Sequence, residues 1–456
     1  MQTVTSDTLK TELAVLPPGP RATPWSTLRF VRDPAGFFAD QYRLFGDPCT
    51  LWSYQGPILI TGDPELARTI FTAEPDTFEP FATALLSPFL GRDSLLMSSG
   101  ERHRRDRKLL TPPFHGSRMR AYGRIIVDVT REETRTWQAG WEGSVHDTTN
   151  AISLDIIVRA VFGIDQPGKQ EGARAVVKRD VEAMSPSIVF LPLLRKALLG
   201  VGPWSRFVRA RSQLDALLYR EIAAKRESGG GGEDILSLIL AARYDDGTSM
   251  SDTEVRDQLI TLLAAGHETT ATALAWALYW THRDPGLAAE LRAELDALGP
   301  SPEPEAIAAL PLLDATCTET LRLHPIVPDV TRRLRRPLKL GPYMVPAGMG
   351  VAVTTCTMHM SPALYPRATE FDGKRFLGVK PSPFSYAPFG GGARRCLGAA
   401  FAMYEMKLVL ATMLTSFEFE LLDRDVVPFR RNLTMGPKGG VRMRVRSRRA
   451  RVGATA

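Results

Sequence analysis

Cys396 stands in the stretch FGGGARRCLG, behind three glycines and two arginines. A structural cysteine is usually a small buried hydrophobe among apolar neighbours. This one has flexible backbone and positive charge around it, and a strong helical run, LGAAFAMYEMKLVLATML, follows directly. A helix N-terminus offers free N–H groups and the positive end of the helix dipole, both of which favour a thiolate. The glycines allow a tight turn that aims amides at the sulfur. Such a thiolate serves either as a nucleophile or as an axial ligand to haem iron. No His–Asn or His–Asp arrangement is evident near it.

A second set of polar groups interrupts a long apolar helix, SDTEVRDQLITLLAAGHETTATALAWALYWTHRDP. Ser251 and Glu254 form a capping box at its start, and it should stop near Pro285. Roughly 30 residues make a helix about 45 Å long, enough to cross a domain. Its middle is apolar nearly all round and should be buried. Yet AGHETT places Gly266, Glu268, Thr269 and Thr270 there. One reading is a satisfied polar patch, with a threonine bonding back to a carbonyl one turn earlier. A zinc-protease HExxH is excluded, because Ala271 stands where the second histidine is needed. The third reading is an opening toward a cofactor: Gly266 removes bulk, Thr269 supplies a hydroxyl and Glu268 connects to a proton source.

Two further pairs carry charge. Glu319 and Arg322, in DATCTETLRLHP, share one face of a helix that ends at Pro325. On a surface such a pair contributes a few tenths of a kcal/mol. Leu312, Leu313, Leu321 and Leu323 nearby argue for burial, where losing one partner costs about 3–5 kcal/mol. In ERHRRDRKLL, His103 and Arg107 lie one helical turn apart; taken alone, that segment reads as a solvated basic face.

The elements that must position these groups are mainly helical. Leu16 to Pro20, LPPGP, is a stiff entry. Asp33-Pro34 and Asp63-Pro64 start helices, and Thr50 to Tyr54 with Ile58 to Thr61 form two strands around Gln55-Gly56. From about 101 to 300 the pattern is helical, broken by the loop ESGGGGED; short strands return in RRPLKLGPYMVPAGMGVAVTT, and a helix and a last β region close the chain. There is no internal repeat. At 456 residues, the chain still reads as one large, mostly helical domain with small sheets.

Composition narrows the setting. Four widely spaced cysteines, Cys49, Cys317, Cys356 and Cys396, give neither a disulfide framework nor a structural zinc site, and fit a reducing compartment. No stretch has the roughly 18 apolar residues of a membrane span, and the N-terminus lacks a signal-peptide core, so a soluble cytoplasmic protein is expected. The net charge of +7 gathers toward the C-terminus as a basic tail. Without a recognition motif or interleaved aromatics, it does not indicate nucleic acid.

Phe389-x-x-Gly392-x-Arg394-x-Cys396-x-Gly398 resembles the cysteine-ligand loop of the cytochrome P450 family. AGHETT resembles that family's oxygen-activation segment, and Glu319-x-x-Arg322 its ExxR pair, in the same order along nearly the whole chain. The resemblance implies a single-domain P450 fold over 21–446, flanked by an extension, 1–20, and a basic tail, 447–456. It implies haem b, with Cys396 as axial ligand, Phe389 beside the sulfur, and Gly398 in the same loop. His103, Arg107, Arg332 and Arg394 would hold the haem propionates. Arg375 would complete a network with Glu319 and Arg322, although FDGKRF keeps only Arg375-Phe376 of the family's Pro-Glu-Arg-Phe.

The implied activity is dioxygen-dependent hydroxylation or epoxidation of an apolar small molecule, such as a fatty acid, terpenoid, steroid or polyketide. Thr269 and Glu268 would manage the protons. Phe81, Leu86, Leu90, Leu263, Ala265, Gly266, Val327, Val330 and Met435 would line the pocket, with Ser187 to Trp204 roofing an access channel. Electrons would come from a separate ferredoxin and ferredoxin reductase, because no flavin or iron–sulfur region is appended. A monomer is expected. A peroxygenase or isomerase, or a non-catalytic haem sensor, are the alternatives; the acid–threonine pair speaks against direct use of peroxide.

Overall fold

One local device starts several helices. Asp33, Asp63 and Asp284 each precede a proline, and each carboxylate accepts backbone N–H groups of the first turn: Gly36, Glu65 with Leu66, and Gly286 with Leu287. The side chain satisfies donors that the helix cannot, and proline loses no bond at that position. In a computed structural model of the chain, residues 16–449 are described, apart from 22, 54, 82, 117, 164–166, 197–199, 230 and 432.

The long helix runs from Asp252 to Arg283 and opens on the expected capping box, with Glu254 accepting the Ser251 N–H at 2.8 Å. It packs against helices Val145–Phe162, Pro311–Leu323 and Ala399–Ser416, and Leu259, Ile260, Leu263 and the run from Ala273 to Tyr279 belong to the largest core cluster. Trp276 is wholly buried there. The polar patch in this helix therefore sits between these helices and the strands that also touch it.

Beside this helical mass lies a five-stranded sheet in the order Cys49–Ser53, Gly56–Thr61, Gly350–Val353, Val330–Leu334, Phe78–Pro80. Only the second and third strands run parallel. Alternation along Val330–Leu334 turns Arg332 and Leu334 into the core and Arg333 away. A hairpin, Pro428–Arg431 with Thr434–Pro437, lies against the long helix. A three-stranded sheet joins Glu142–Ser144, Arg442–Arg448 and Phe417–Leu421.

Chain beyond the expected boundaries at 21 and 446 also bonds to the fold. The Pro18 and Pro20 carbonyls accept the N–H groups of Thr50 and Trp52, so the entry segment pairs along the sheet edge. The last strand continues through Arg448, and Arg449 pairs with Asp296 at 2.8 Å. Of the basic tail, Arg449 is thus paired with Asp296, and just before the tail Arg444 pairs with Glu142 and Glu420. Residues 1–15 and 450–456 lie outside the described residues, as does 197–199 in the expected channel roof. Among the described residues no helix is long and apolar enough to cross a membrane.

Candidate active site

The glycines before Cys396 answer to a close approach. Gly390 and Gly392 have φ of +67° and +65°, a region that side chains rarely enter. A Cβ on Gly392 would stand 1.9 Å from the Phe71 carbonyl oxygen, and one on Gly391 would stand 2.3 Å from the Phe71 ring. The loop is pressed onto the end of helix Pro64–Thr72, and only glycine fits. The Cys396 N–H then closes the turn on the Phe389 carbonyl at 2.9 Å, and Phe389 packs against the main core.

His359, which sequence reasoning passed over, ties this loop to the ion-pair helix. Its Nε2 accepts the Ala387 N–H at 3.0 Å, which leaves Nδ1 to donate to the Arg322 carbonyl at 3.1 Å. Complete burial holds the ring neutral, with a pKa of about 3. A neutral imidazole is what this bridge requires, since a charged one has no acceptor for Ala387.

At the sulfur, burial opposes ionisation and raises the thiol. The Gly398 N–H, Arg395 and Arg107 pull the other way without prevailing. The thiolate expected from the sequence thus meets opposition from burial in the chain by itself. The Cys396 side chain is nonetheless accessible, as is that of Ala265, midway along a helix that is otherwise mostly buried. Among the described residues no group of three His, Cys, Asp or Glu could hold a bare metal ion.

Around the loop sits an uncompensated cationic cluster. Arg332, 4% exposed, donates to the carbonyls of Gly391 at 2.5 Å and Ile70 at 3.1 Å, while its Nε is buried without a partner. Arg394 donates to Ser98 O at 2.5 Å and Arg107 to Arg395 O at 2.7 Å. Burial and mutual repulsion lower Arg332 and Arg394 to about 10 and buried His103 to about 4. Among the described residues no carboxylate pairs with Arg107, Arg332 or Arg394. Buried charges without partners are costly, so this group fits an anionic ligand.

On the long helix both threonines bond backward, Thr269 Oγ1 to Ala265 O at 2.7 Å and Thr270 Oγ1 to Gly266 O at 3.2 Å. Glu268 meets the hairpin: Thr434 Oγ1 lies 3.2 Å from its Oε1. Gly266 has a packing reason of its own, since a Cβ there would come within 3.2 Å of Ile157 on the neighbouring helix. Its missing side chain thus faces that helix. Behind the patch, His146 Nε2 lies 3.2 Å from Thr272 Oγ1, and Thr149 donates to the Ala271 carbonyl.

Glu319 and Arg322 are both fully buried and paired twice, at 2.7 and 2.8 Å. Arg375 Nε reaches the same carboxylate at 3.0 and 3.1 Å, even though the segment departs from the usual motif. Arg322 also donates to the carbonyls of His359, Ala368 and Glu370, so it fastens three chain segments at one point.

The expected pocket residues separate. Leu263 is 1% exposed inside the main core, and Leu90 is buried. Phe81 lies beneath the Arg333 guanidinium at 5.2 Å and covers Gly350, on the sheet face opposite Arg332. These three are not brought together with the cysteine loop. Val330 is, with its methyls 3.5 Å from where a Gly390 Cβ would stand. Leu86 is partly exposed, Val327 is exposed, and Met435 is buried beside Glu268's partner Thr434. A separate cleft of about 300 Å³, lined by Arg124, Asp128, Asp296 and Arg449 among others, contains none of these residues.

Comparison with known proteins agrees with this geometry. The sequence model of the cytochrome P450 family matches residues 17–441. Putative cytochrome P450 135B1 of Mycobacterium tuberculosis is 36% identical over 442 residues, covering 95% of this chain and 92% of the relative. Putative cytochrome P450 138 of the same organism is 36% identical over 368 residues, covering 80% of each. Among solved structures, a retinoic acid-bound cyanobacterial CYP120A1 superposes with a TM-score of 0.83 at 27% identity, covering 94% of this chain and 99% of the other. The protein belongs to the cytochrome P450 family, haem b-dependent monooxygenases that use dioxygen, a redox partner and a small-molecule substrate.

Proposed function

We propose that the protein oxygenates an apolar small molecule as a monomer, with Cys396 as haem ligand and a separate ferredoxin and its reductase supplying electrons. The observation that carries the site assignment is the cationic cluster: Arg332, Arg394 and Arg107 bond backbone in or against the loop bearing Cys396 and have no carboxylate of their own. Haem held by the Cys396 sulfur, with its two propionates toward Arg332, Arg394 and Arg107, would meet both needs. Arg332 Nε, buried without a partner, supports the fit.

Thiolate-ligated haem, when bound, supplies dioxygen activation, with electron donation from sulfur favouring O–O cleavage. The chain's own groups control protons and water. The Gly398 N–H, Arg107 and Arg395 stabilise negative charge on the Cys396 sulfur. Thr269 Oγ1 donates a hydrogen bond to the Ala265 carbonyl, which leaves its lone pairs to accept one from a proton-bearing water. Glu268, one residue earlier, holds an exchangeable proton at its carboxyl and links the helix to solvent. Ala265, Leu86, Val327, Val330 and Met435 offer apolar surface that orients substrate and excludes water. A solved relative that binds retinoic acid, a long apolar acid, supports this choice of substrate class.

Thr269→Ala tests the assignment. Peroxide should rise at the expense of product, and unchanged coupling would remove Thr269 from the mechanism. A ferredoxin steered by Arg107 and Arg395 should transfer electrons more slowly as salt rises. A rate independent of salt would exclude that docking mode. A ligand screen that reads the haem spin state would identify the substrate class.

A further inference from the structure

We infer that Thr434 is a positioning residue for Glu268, holding its carboxyl group in place in both protonation states. This rests on the reading of Glu268 as the proton-carrying acid and extends it to the hairpin Pro428–Arg431/Thr434–Pro437.

The hairpin is seated firmly. The Met435 N–H donates to the Ile326 carbonyl at 2.8 Å, and a Cβ on Gly436 would come within 3.3 Å of Thr272 on the long helix. Thr434 is 6% exposed, and its Oγ1 lies 2.9 Å from the Arg431 carbonyl and 3.2 Å from Glu268 Oε1. A hydroxyl has one proton and two lone pairs. With Glu268 ionised, the Thr434 proton points at Oε1. With Glu268 protonated, the carboxyl O–H donates to Thr434 Oγ1, and the threonine turns its own proton to the Arg431 carbonyl. The hydroxyl keeps its proton throughout, so a charge change at Glu268 asks of Thr434 only a rotation. A valine of the same shape would serve neither state.

The charged and titratable groups around this point come from each packed element. His267 precedes Glu268, Arg431 belongs to the hairpin, and His146 approaches Thr272 from helix Val145–Phe162. Burial keeps His146 and His267 neutral, so Arg431 is the fixed cation among these three.

The test uses the haem-loaded protein with a ferredoxin system and the variants Thr434→Val, Thr434→Ser, Glu268→Gln and the Val/Gln double. Thr434→Val should lower product formed per electron pair about fivefold, with peroxide rising. Thr434→Ser should restore coupling to within about twofold of the parent, since it keeps the hydroxyl. Thr434→Val should add nothing in the Glu268→Gln background. Infrared difference spectra of substrate-free protein give an independent readout. The protonated-carboxyl band that Glu268→Gln abolishes should shift in Thr434→Val and stay in Thr434→Ser, with the thermal midpoint unchanged.

Parental coupling and an unshifted band in Thr434→Val overturn the proposal, as does the absence of any Glu268 carboxyl band across the folded pH range. If Glu268→Gln itself leaves coupling intact, the reading of Glu268 fails, and the infrared arm alone decides Thr434. If Glu268→Gln uncouples and Thr434→Val does not, only the role of Thr434 is lost.

Discussion

Replacing Glu319 by glutamine keeps the shape of the buried network and removes its only negative charge. In the parent, one carboxylate accepts two bonds from Arg322, Arg375 Nε at both oxygens, and the Asp372 N–H at 3.0 Å. The amide has a single acceptor oxygen and turns an NH₂ group toward guanidinium donors. Arg322, fully buried, is left without its counter-charge, which costs about 3–5 kcal/mol. Arg375 is also stranded, but it retains some access to solvent and three carbonyl partners, so its share is smaller. Against a net stability of roughly 5–15 kcal/mol, this loss is a large fraction. Urea unfolding of the haem-loaded protein, followed by circular dichroism, should show the midpoint falling with little change in slope. The double variant Glu319→Gln/Arg322→Met should recover part of the loss, because the stranded charge is gone. A Glu319→Gln protein within about 1 kcal/mol of the parent, or a double variant weaker than the single, would refute the argument from an uncompensated buried charge.

Other outcomes follow from particular contacts. Gly392→Ala should fail to load haem, since its Cβ meets backbone at 1.9 Å in a left-handed conformation; Gly266→Ala should fold, because only the flexible end of Ile157 must move. Equal behaviour of the two, judged by haem content, would exclude the packing explanation. His359→Phe leaves the Ala387 N–H buried without its acceptor and should cost about 1–3 kcal/mol in urea unfolding, with haem released faster; an unchanged release rate would remove His359 from loop positioning. Burial lowers His146, His324 and His359 from the ordinary 6.5 to about 3 when folded, so the unfolded state binds more protons as pH drops, and stability should fall below about pH 6. Glu405 has the opposite sign. Burial lifts it from 4.5 to about 8, so its contribution is present at low pH and is lost as pH rises toward 8. Glu405→Gln should therefore flatten the alkaline side of the stability profile, and an unchanged slope between pH 5 and 8 would show that Glu405 is not held neutral.

The groups nearest the chemistry were legible because each lies in a short contiguous segment. FGGGARRCLG, AGHETT and ETLR announce themselves by residue type, and the Asp-Pro and Ser-x-x-Glu caps place their helices within a residue or two. What the chain brings from afar was not legible. Phe71 explains two of the three glycines before Cys396 yet lies more than 300 residues earlier, and nothing local marks it. His359 and Thr434 reach residues 28 and 166 positions away. Depth along the long helix was not legible either, since hydrophobicity alone does not distinguish Leu263, sealed in the core, from Ala265, two residues on and exposed. The ionisation of Cys396 also depended on depth, because the desolvation that outweighs the Gly398 N–H and the arginines is a property of the folded chain.

Ligation of haem iron by the Cys396 sulfur is the claim on which the rest depends. The carbon monoxide difference spectrum of the reduced, haem-loaded protein tests it in one measurement, alongside Cys396→His. The parent should give its band at the position typical of thiolate ligation, and the variant should move it to that of imidazole ligation. A parent spectrum of imidazole type, or one that Cys396→His leaves unchanged, would contradict the account.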